Sequence, residues 1–397
     1  MEIIIIGAGI GGLALARMLS NQGRQVRVFE RAAALSAKGA GITLSANALR
    51  ALDVLGLGEE VRRAGNEITR FGIDDPRGRE LSATDMAELQ PAMAGYLPVA
   101  IQRSELHEIL ARGLPAGSLM LGQELVEVEQ QPDSVRAIFA HGESASAALL
   151  VGADGIRSRV RQQVFGSPAW RYSGQRCFRG ICPSIESSTG RAPGAFFETW
   201  GRGRRFGHVA VGHGQTYWYA TITQAAEQLA APLGADAIAE LLAEVHPAAA
   251  AHVAATPPQR LLDEGLYDVA PTKRWSQGRV CLLGDAIHPT TPNMGQGAGM
   301  ALESAVVLGA VLLRAGDLEQ ALSLFERIRY PRTSFVTRRS WSIGRMTSWS
   351  SGPACAFRNG LLRSAPKRGF GSELVRFAAA DFAQTLVALP HADAARR

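Results

Sequence analysis

Ile3-Ile4-Ile5-Ile6-Gly7-Ala8-Gly9-Ile10-Gly11-Gly12-Leu13 is the stretch that decides the fold. A β-branched run breaks at a glycine cluster, a helical pattern carrying Leu13, Ala16 and Leu19 follows, Gly23 stops it, and Val26 to Glu30 reads as a second strand. This is a βαβ opening, and Gly7, Gly9 and Gly12 fit the GxGxxG spacing within it. The first glycine permits the turn, the second lets a pyrophosphate approach the backbone, and the third allows helix and strand to touch. Glu30 ends the second strand, where a carboxylate can bind both hydroxyls of an adenosine ribose. The helix start adds partial positive charge toward the pyrophosphate, about 0.3–1 kcal/mol. A glycine-rich turn without a ligand explains the spacing, but not the strand before it, the helix after it and the acid at the next strand end.

This opening does not separate NAD from FAD. A second segment does: Arg279-Val-Cys-Leu-Leu-Gly284-Asp285-Ala-Ile-His288-Pro289-Thr-Thr-Pro292-Asn-Met-Gly295-Gln296-Gly297-Ala298-Gly299-Met300. A buried strand ends at Gly284, so Asp285 can accept hydrogen bonds from a polyhydroxyl group such as a ribityl chain, and the prolines stiffen the turn beyond it. Around Gly297 and Ala298 a helix then begins, its free N–H groups suited to a place where negative charge appears. Reduced flavin is such an anion.

With a third segment, Leu149-Leu-Val-Gly-Ala-Asp154-Gly155-Ile-Arg157-Ser158, the chain resembles the single-component FAD-dependent monooxygenases, the family of aromatic ring hydroxylases, zeaxanthin epoxidase and bacterial urate hydroxylase. The resemblance covers nearly the whole chain. It implies an α/β fold, with a Rossmann-like FAD-binding domain of the aromatic hydroxylase type and an inserted antiparallel-sheet substrate domain. It further implies that Asp154 borders both FAD and the entry route of NAD(P)H, and that Gly41 and Arg103 lie against FAD. On sequence alone Arg103 is equally an ordinary arginine at a helix start. The chemistry implied is reduction of FAD by NAD(P)H, reaction with O₂ to a C4a-hydroperoxyflavin, and oxygen transfer to an electron-rich substrate. No second GxGxxG unit occurs, so NAD(P)H has no dinucleotide domain of its own and visits transiently.

Composition bounds these readings. The 397 residues, 46% hydrophobic and 20% charged, describe a packed enzyme with a sizeable core. The +6 charge and pI near 9.4 come without a zinc-finger or RNA-recognition signature, so phosphates of cofactors are expected to use the basic excess, with no nucleic acid as partner. Cys177, Cys182, Cys281 and Cys355 form no CxxC pair and read as reduced thiols, which together with an N-terminus lacking a basic flank places the chain in the cytoplasm. Cys177 and Cys182 have the spacing of a disulfide-reductase redox pair, but they fall in the substrate sheet rather than near the first helix. No metal site is expected.

Along the chain, 1–70, 100–169 and 273–345 are assigned to the FAD-binding domain, 71–99 and 170–272 to the substrate domain, and 346–397 to a basic helical tail. Residues 42–65 read as helical, and 170–223 alternate in strand fashion with many aromatics, from Phe178 to Tyr219. Within that sheet Arg179, the Arg204-Arg205 pair and Tyr217 are the polar groups expected to face the flavin. Arg205 and Tyr217 match the spacing of an Arg/Tyr pair in urate-hydroxylase-like relatives, which implies a role in orienting or ionising the substrate. A strand tyrosine is otherwise a packing residue. For His288 a structural or flavin-side role is expected. Few carboxylate-binding residues surround the aromatics, which favours a lipophilic aromatic, heteroaromatic or prenylated substrate with O₂. Arginines from Arg327 to Arg368, with Trp341 and Trp349, suggest a peripheral contact with an anionic bilayer; a solvated basic helix explains them as well. An FAD-dependent reductase of a prenyl-type substrate and a flavin-bound interaction protein without turnover are the alternatives, separated by oxygen uptake and by ligand-stimulated flavin reduction. A halogenase reading lacks its Trp-x-Trp-x-Ile-Pro signature.

Overall fold

The computed structural model describes residues 1–35, 40–185, 194–229, 232–314, 316–364 and 375. Ile3–Ile6 is the centre of a six-stranded sheet, parallel to Val26–Glu30 on one side and to Leu149–Gly152 on the other, with Val280–Leu282 beyond. Every residue of Ile3–Ile6 is buried, because helices or a small second sheet cover both faces of the parallel sheet. The helix Ile10–Ser20 packs against Gly297–Arg314, which is long and apolar enough to cross a membrane but is 78% buried inside the protein and carries Glu303 at its centre. It is a core helix.

A seven-stranded sheet forms the second layer, in the order Leu262–Val269, Trp170–Pro183, Gln215–Thr223, Arg204–Ala210, Ala195–Trp200, Arg70–Asp74, Glu80–Asp85. All its pairings are antiparallel except the parallel one between Ala195–Trp200 and Arg70–Asp74. One face carries Phe178, Phe206 and Trp218 against the helices Ala235–Ala243 and Ala249–Ala254. The other turns toward the FAD-binding layer.

Two expectations need correction. The stretch read as helix over 42–65 begins as a strand, Gly41–Leu44, paired with Val99–Gln102, and then divides into Ala46–Val54 and Gly58–Ala64. Gly56, with φ of 75°, breaks the helix, and the strand forms because residues far along the chain pair with it. The basic tail is only in part a cationic surface: Arg327, Arg338, Arg339 and Arg345 are exposed, whereas other arginines pair inside the protein. Leu318–Thr347 is one 30-residue helix in which Arg329 is buried and, with Arg332, bonds Glu303. Arg363 reaches Asp75, and Arg358 is buried against the carbonyls of Trp200 and Gly201. The acids missing from the local sequence come from other elements. Lys367, Arg368 and the rest of 365–397, apart from 375, lie outside the described residues, as do 186–193 of the strand-like stretch.

Candidate functional site

Two cavities, of about 370 Å³ and 190 Å³, meet at Gly9, Ala153 and Gly155 between the two layers. The smaller one lies over the glycine turn and the end of the second strand. Gly7 has φ of 105°, and a Cβ there would stand 2.5 Å from the Ala153 carbonyl oxygen. At Gly12 a Cβ would overlap the carbonyl oxygen of Gly7. At Gly9 it would meet nothing nearer than 3.9 Å, so this position opens a lane along the backbone. Glu30 lines the same cavity and accepts from the amides of Ala8 (2.8 Å) and Ala32 (2.9 Å), which fixes its carboxylate at the mouth. Asp154 accepts from the amides of Arg159 and Val160 with one oxygen, while the other is buried without a partner. Burial holds the Asp154 pKa above the ordinary carboxylate range against the pull of those bonds.

The larger cavity is bordered by Gly41, Arg103, Asp285, Gly297 and Ala298. Asp285 follows the strand Val280–Leu282 and Gly284, and its side chain is exposed into the open cavity. Desolvation raises its pKa and the charge of Arg103 opposes this. A Cβ at Gly297 would meet only Thr290, at 3.7 Å, which leaves the helix start accessible. A polyhydroxyl acceptor, a buried orphan carboxylate oxygen and two glycine lanes fit a flavin dinucleotide laid across both cavities. Gly41 has a second constraint: a Cβ there would overlap the ring of Tyr217.

The substrate wall is set by strand register. Glu198 pairs with Gly207, Gly207 with Tyr219, and Tyr219 with Arg179, so these four form one row across the sheet. Trp200, Arg205, Thr221 and Cys177 form the next row on the same face. Tyr217 lies one row beyond, its ring 5.9 Å from that of Tyr219. The structure thus brings Arg179, Arg205 and Tyr217 together at the larger cavity. It excludes Arg204, which points to the back of the sheet and bonds Leu241 O and Glu244. Adjacent strand residues face opposite ways, so the Arg204-Arg205 pair divides. The aromatics divide likewise: Phe71 and Phe196 face the cavity, whereas Phe178, Phe206 and Trp218 support it from behind. The same parity puts Cys177 on the cavity face and Cys182 behind it, and all four cysteines are free.

Arg205 is 2% exposed. It donates to Asn293 Oδ1 at 3.0 Å, stands 3.6 Å from Glu198 and covers the Tyr219 ring. Burial works against its charge, but Glu198 and Tyr219 hold its pKa above the usual value. Tyr219 donates to Glu198 Oε1, and Trp200 donates to Oε2 at 2.6 Å. Burial raises the Tyr217 pKa well above the ordinary phenol range, against the opposing charge of Arg179, so the phenol keeps its proton. Sequence reasoning missed Glu198, Tyr219 and Asn293. The period-2 alternation that links Tyr217 to Tyr219 was a usable signal; the Arg205–Asn293 bond, between distant segments, was not. His288 does not line the cavity. It contacts Ser304 at 3.0 Å behind the flavin side, and burial, assisted by the charge of Arg329, lowers its pKa to about 3. This is the structural alternative for His288. Among the described residues, no cluster of three His, Cys, Asp or Glu side chains is placed to hold a metal ion.

Comparison with known proteins adds independent support. A family model described as an FAD binding domain matches residues 1–339. Aurachin C monooxygenase/isomerase of Stigmatella aurantiaca is 38% identical over 366 residues, 91% of this chain and 94% of that protein. The 2-heptyl-3-hydroxy-4(1H)-quinolone synthase of Pseudomonas aeruginosa strain UCBPP-PA14 is 34% identical, over 92% of this chain and 94% of its own. The crystal structure of Klebsiella pneumoniae HpxO with FAD and uric acid superposes with a TM-score of 0.88 at 28% identity, covering 95% and 96% of the two chains. With the glycine turn, the Asp285 segment and the walled cavity between them, the chain belongs to the single-component FAD-dependent monooxygenases of the aromatic and urate hydroxylase type.

Proposed function

We propose that this enzyme uses NAD(P)H and O₂ to place one oxygen atom on a neutral heteroaromatic ring of the 4-quinolone type that carries a hydrocarbon chain. The observation that carries this reading is the two-part lining of the larger cavity. Ile68, Phe71, Met86, Pro98 and Phe196 form an apolar stretch, and Arg179, Glu198, Arg205, Tyr217 and Tyr219 form a polar patch in which Arg205 is already balanced by Glu198 and Arg179 by Glu264. Such a lining suits a ring with a polar edge and no net charge, joined to a lipophilic substituent. One relative has a name that fits this: the product named for it is a 4(1H)-quinolone with a heptyl chain.

When bound, FAD would pass the electrons of NAD(P)H to O₂, which is the source of the oxygen atom transferred, its other atom leaving as water. Glu30, Asp285 and the Gly297–Ala298 helix start would hold it, with Gly9 giving its pyrophosphate backbone contact. Asp154 keeps the Gly155 turn in shape through the amides of the following helix, beside the path we assign to NAD(P)H. Tyr217 offers a protonated phenol and Arg205 a fixed cation to the polar edge of the substrate, and the aromatic wall excludes water from the reacting face. The experiment is mass spectrometry of products formed from 2-heptyl-4(1H)-quinolone under ¹⁸O₂. One labelled atom in product is expected; an unlabelled, reduced product formed with NAD(P)H consumption but no O₂ uptake would overturn the assignment in favour of a reductase.

A peripheral membrane contact is a second reading, carried by Phe357 and Leu361, 62% and 55% exposed one turn apart on Gly352–Ser364. Co-sedimentation with anionic vesicles that is lost in Phe357→Ser would support it; no co-sedimentation at low salt would end it. The buried, unpaired cysteines favour a reducing, cytoplasmic setting. Cell fractionation tests that placement.

A further inference from the structure

Glu198 is a carboxylate on the substrate-facing side of the sheet, and both its oxygens are engaged: Oε1 by the Tyr219 hydroxyl, Oε2 by Trp200 Nε1, with Arg205 alongside. The row that carries it is built for this. Gly207 lies between Glu198 and Tyr219, and a Cβ there would stand 2.8 Å from the tyrosine ring, so only glycine lets that ring lie across the strand toward the acid. Arg205 is thereby committed on three sides, to Glu198, to Asn293 and to the face of Tyr219. What the cavity leaves for a substrate is small: the phenol of Tyr217, which borders it beside Arg179 and Arg205, while the Nε atoms of both arginines are buried out of reach.

That hydroxyl is a donor for one neutral acceptor oxygen, near the Glu198 carboxylate. We propose that Glu198 sets the charge of the accepted substrate: by occupying the Arg205 guanidinium it turns away rings bearing a carboxylate and leaves the Tyr217 hydroxyl to a ring carbonyl or hydroxyl oxygen. The inference rests on the substrate reading above and assigns its specificity to one residue. Glu198 acts through Arg205 and is a positioning residue. A second carboxylate in this low-dielectric pocket meets repulsion from Glu198, and the Arg205 charge is already committed to that acid.

The test uses FAD-loaded enzyme and a ring-matched pair of probes, 4(1H)-quinolone and its 2-carboxylate, with affinities read from the flavin absorbance change. Wild-type enzyme is expected to bind the quinolone at least about 10-fold more tightly than the carboxylate, and Glu198→Gln to raise carboxylate affinity by about 10- to 100-fold while moving quinolone affinity by less than about 3-fold. Glu198→Asp keeps the wild-type preference. A merely structural role for Glu198 weakens both probes together and lowers FAD content, and that pattern overturns the inference. Equal binding of both probes by wild-type enzyme also overturns it, and this arm needs no variant to fold. Failure of the substrate reading is distinguishable: the enzyme then binds neutral rings but leaves every quinolone unlabelled under ¹⁸O₂, while the charge preference and its loss in Glu198→Gln persist.

Discussion

Gly7, Gly9 and Gly12 shape the nucleotide end of the cavity by what they lack, whereas Glu198, Arg205, Tyr217 and Tyr219 shape the substrate end by side chains that meet across strands. At the first, backbone and a helix start line the cavity, and a side chain at Gly12 would displace the carbonyl it packs on. At the second, a charged network 2% exposed at Arg205 is held in place by register. The lesson is that the nucleotide end tolerates no added atoms, while the substrate end tolerates no unbalanced charge.

The harshest way to test the first half is Gly12→Val, which puts three carbons against the Gly7 carbonyl. We expect a cost of about 3 kcal/mol or more and protein recovered without FAD, read from flavin absorbance and thermal melting. Retention of stoichiometric FAD would break the comparison. For the second half, Arg205→Met leaves Glu198 buried without its cation. A destabilisation of about 3–5 kcal/mol is expected, with substrate-stimulated oxygen uptake largely lost. Recovery of stability in the double variant Arg205→Met with Glu198→Gln would sharpen the assignment to charge.

Acid should strike the FAD-binding layer through two buried imidazoles. Burial lowers the pKa of His107 to about 4 and that of His288 to about 3. Both are neutral in the folded protein and take up a proton on unfolding below about pH 6.5, so their contribution is intact above that pH and is lost as pH falls toward 4. Each should cost about 2 kcal/mol between pH 7 and pH 5, and His288→Asn should flatten the melting-temperature profile over that window. An unchanged slope would exclude His288 as a source. The smallest effect is expected from Arg204→Met, on the back of the same strand as Arg205. Its ion pair with Glu244 is half exposed, so stability should move by no more than about 1 kcal/mol and turnover by less than about 2-fold. A larger turnover loss would mean that the two faces of the sheet are not separate.

Much of the site could be read in the sequence where chemistry and backbone geometry are local. The glycine turn, Glu30, Asp154 and Asp285 all lie at strand ends whose position follows from short patterns, and the structure puts each of them on one of the two cavities. Arg179, Arg205 and Tyr217 were legible as polar residues among aromatics, but Arg204 was grouped with them because composition was read without parity. Part of the basic tail is hidden from sequence for a related reason. Arg329 and Arg332 have no acid nearby in sequence, yet Glu303 on the preceding helix meets both. Strand 41–44 was hidden because its partner, 99–102, is distant in the chain.

The sequence by itself determined the βαβ opening, the two later strand-to-turn segments and the flavin class, since turns, glycines and helix starts are governed by the dihedral freedom of neighbouring residues. Only the tertiary structure decided that Glu198, Gly207, Tyr219 and Arg179 share a row, that Arg205 is fixed between Glu198 and Asn293, and that Arg329, Arg332 and Arg358 of the tail are engaged inside the protein. Those contacts depend on the register of strands and helices separated by tens of residues. A one-residue slip would turn every one of these side chains to the opposite face.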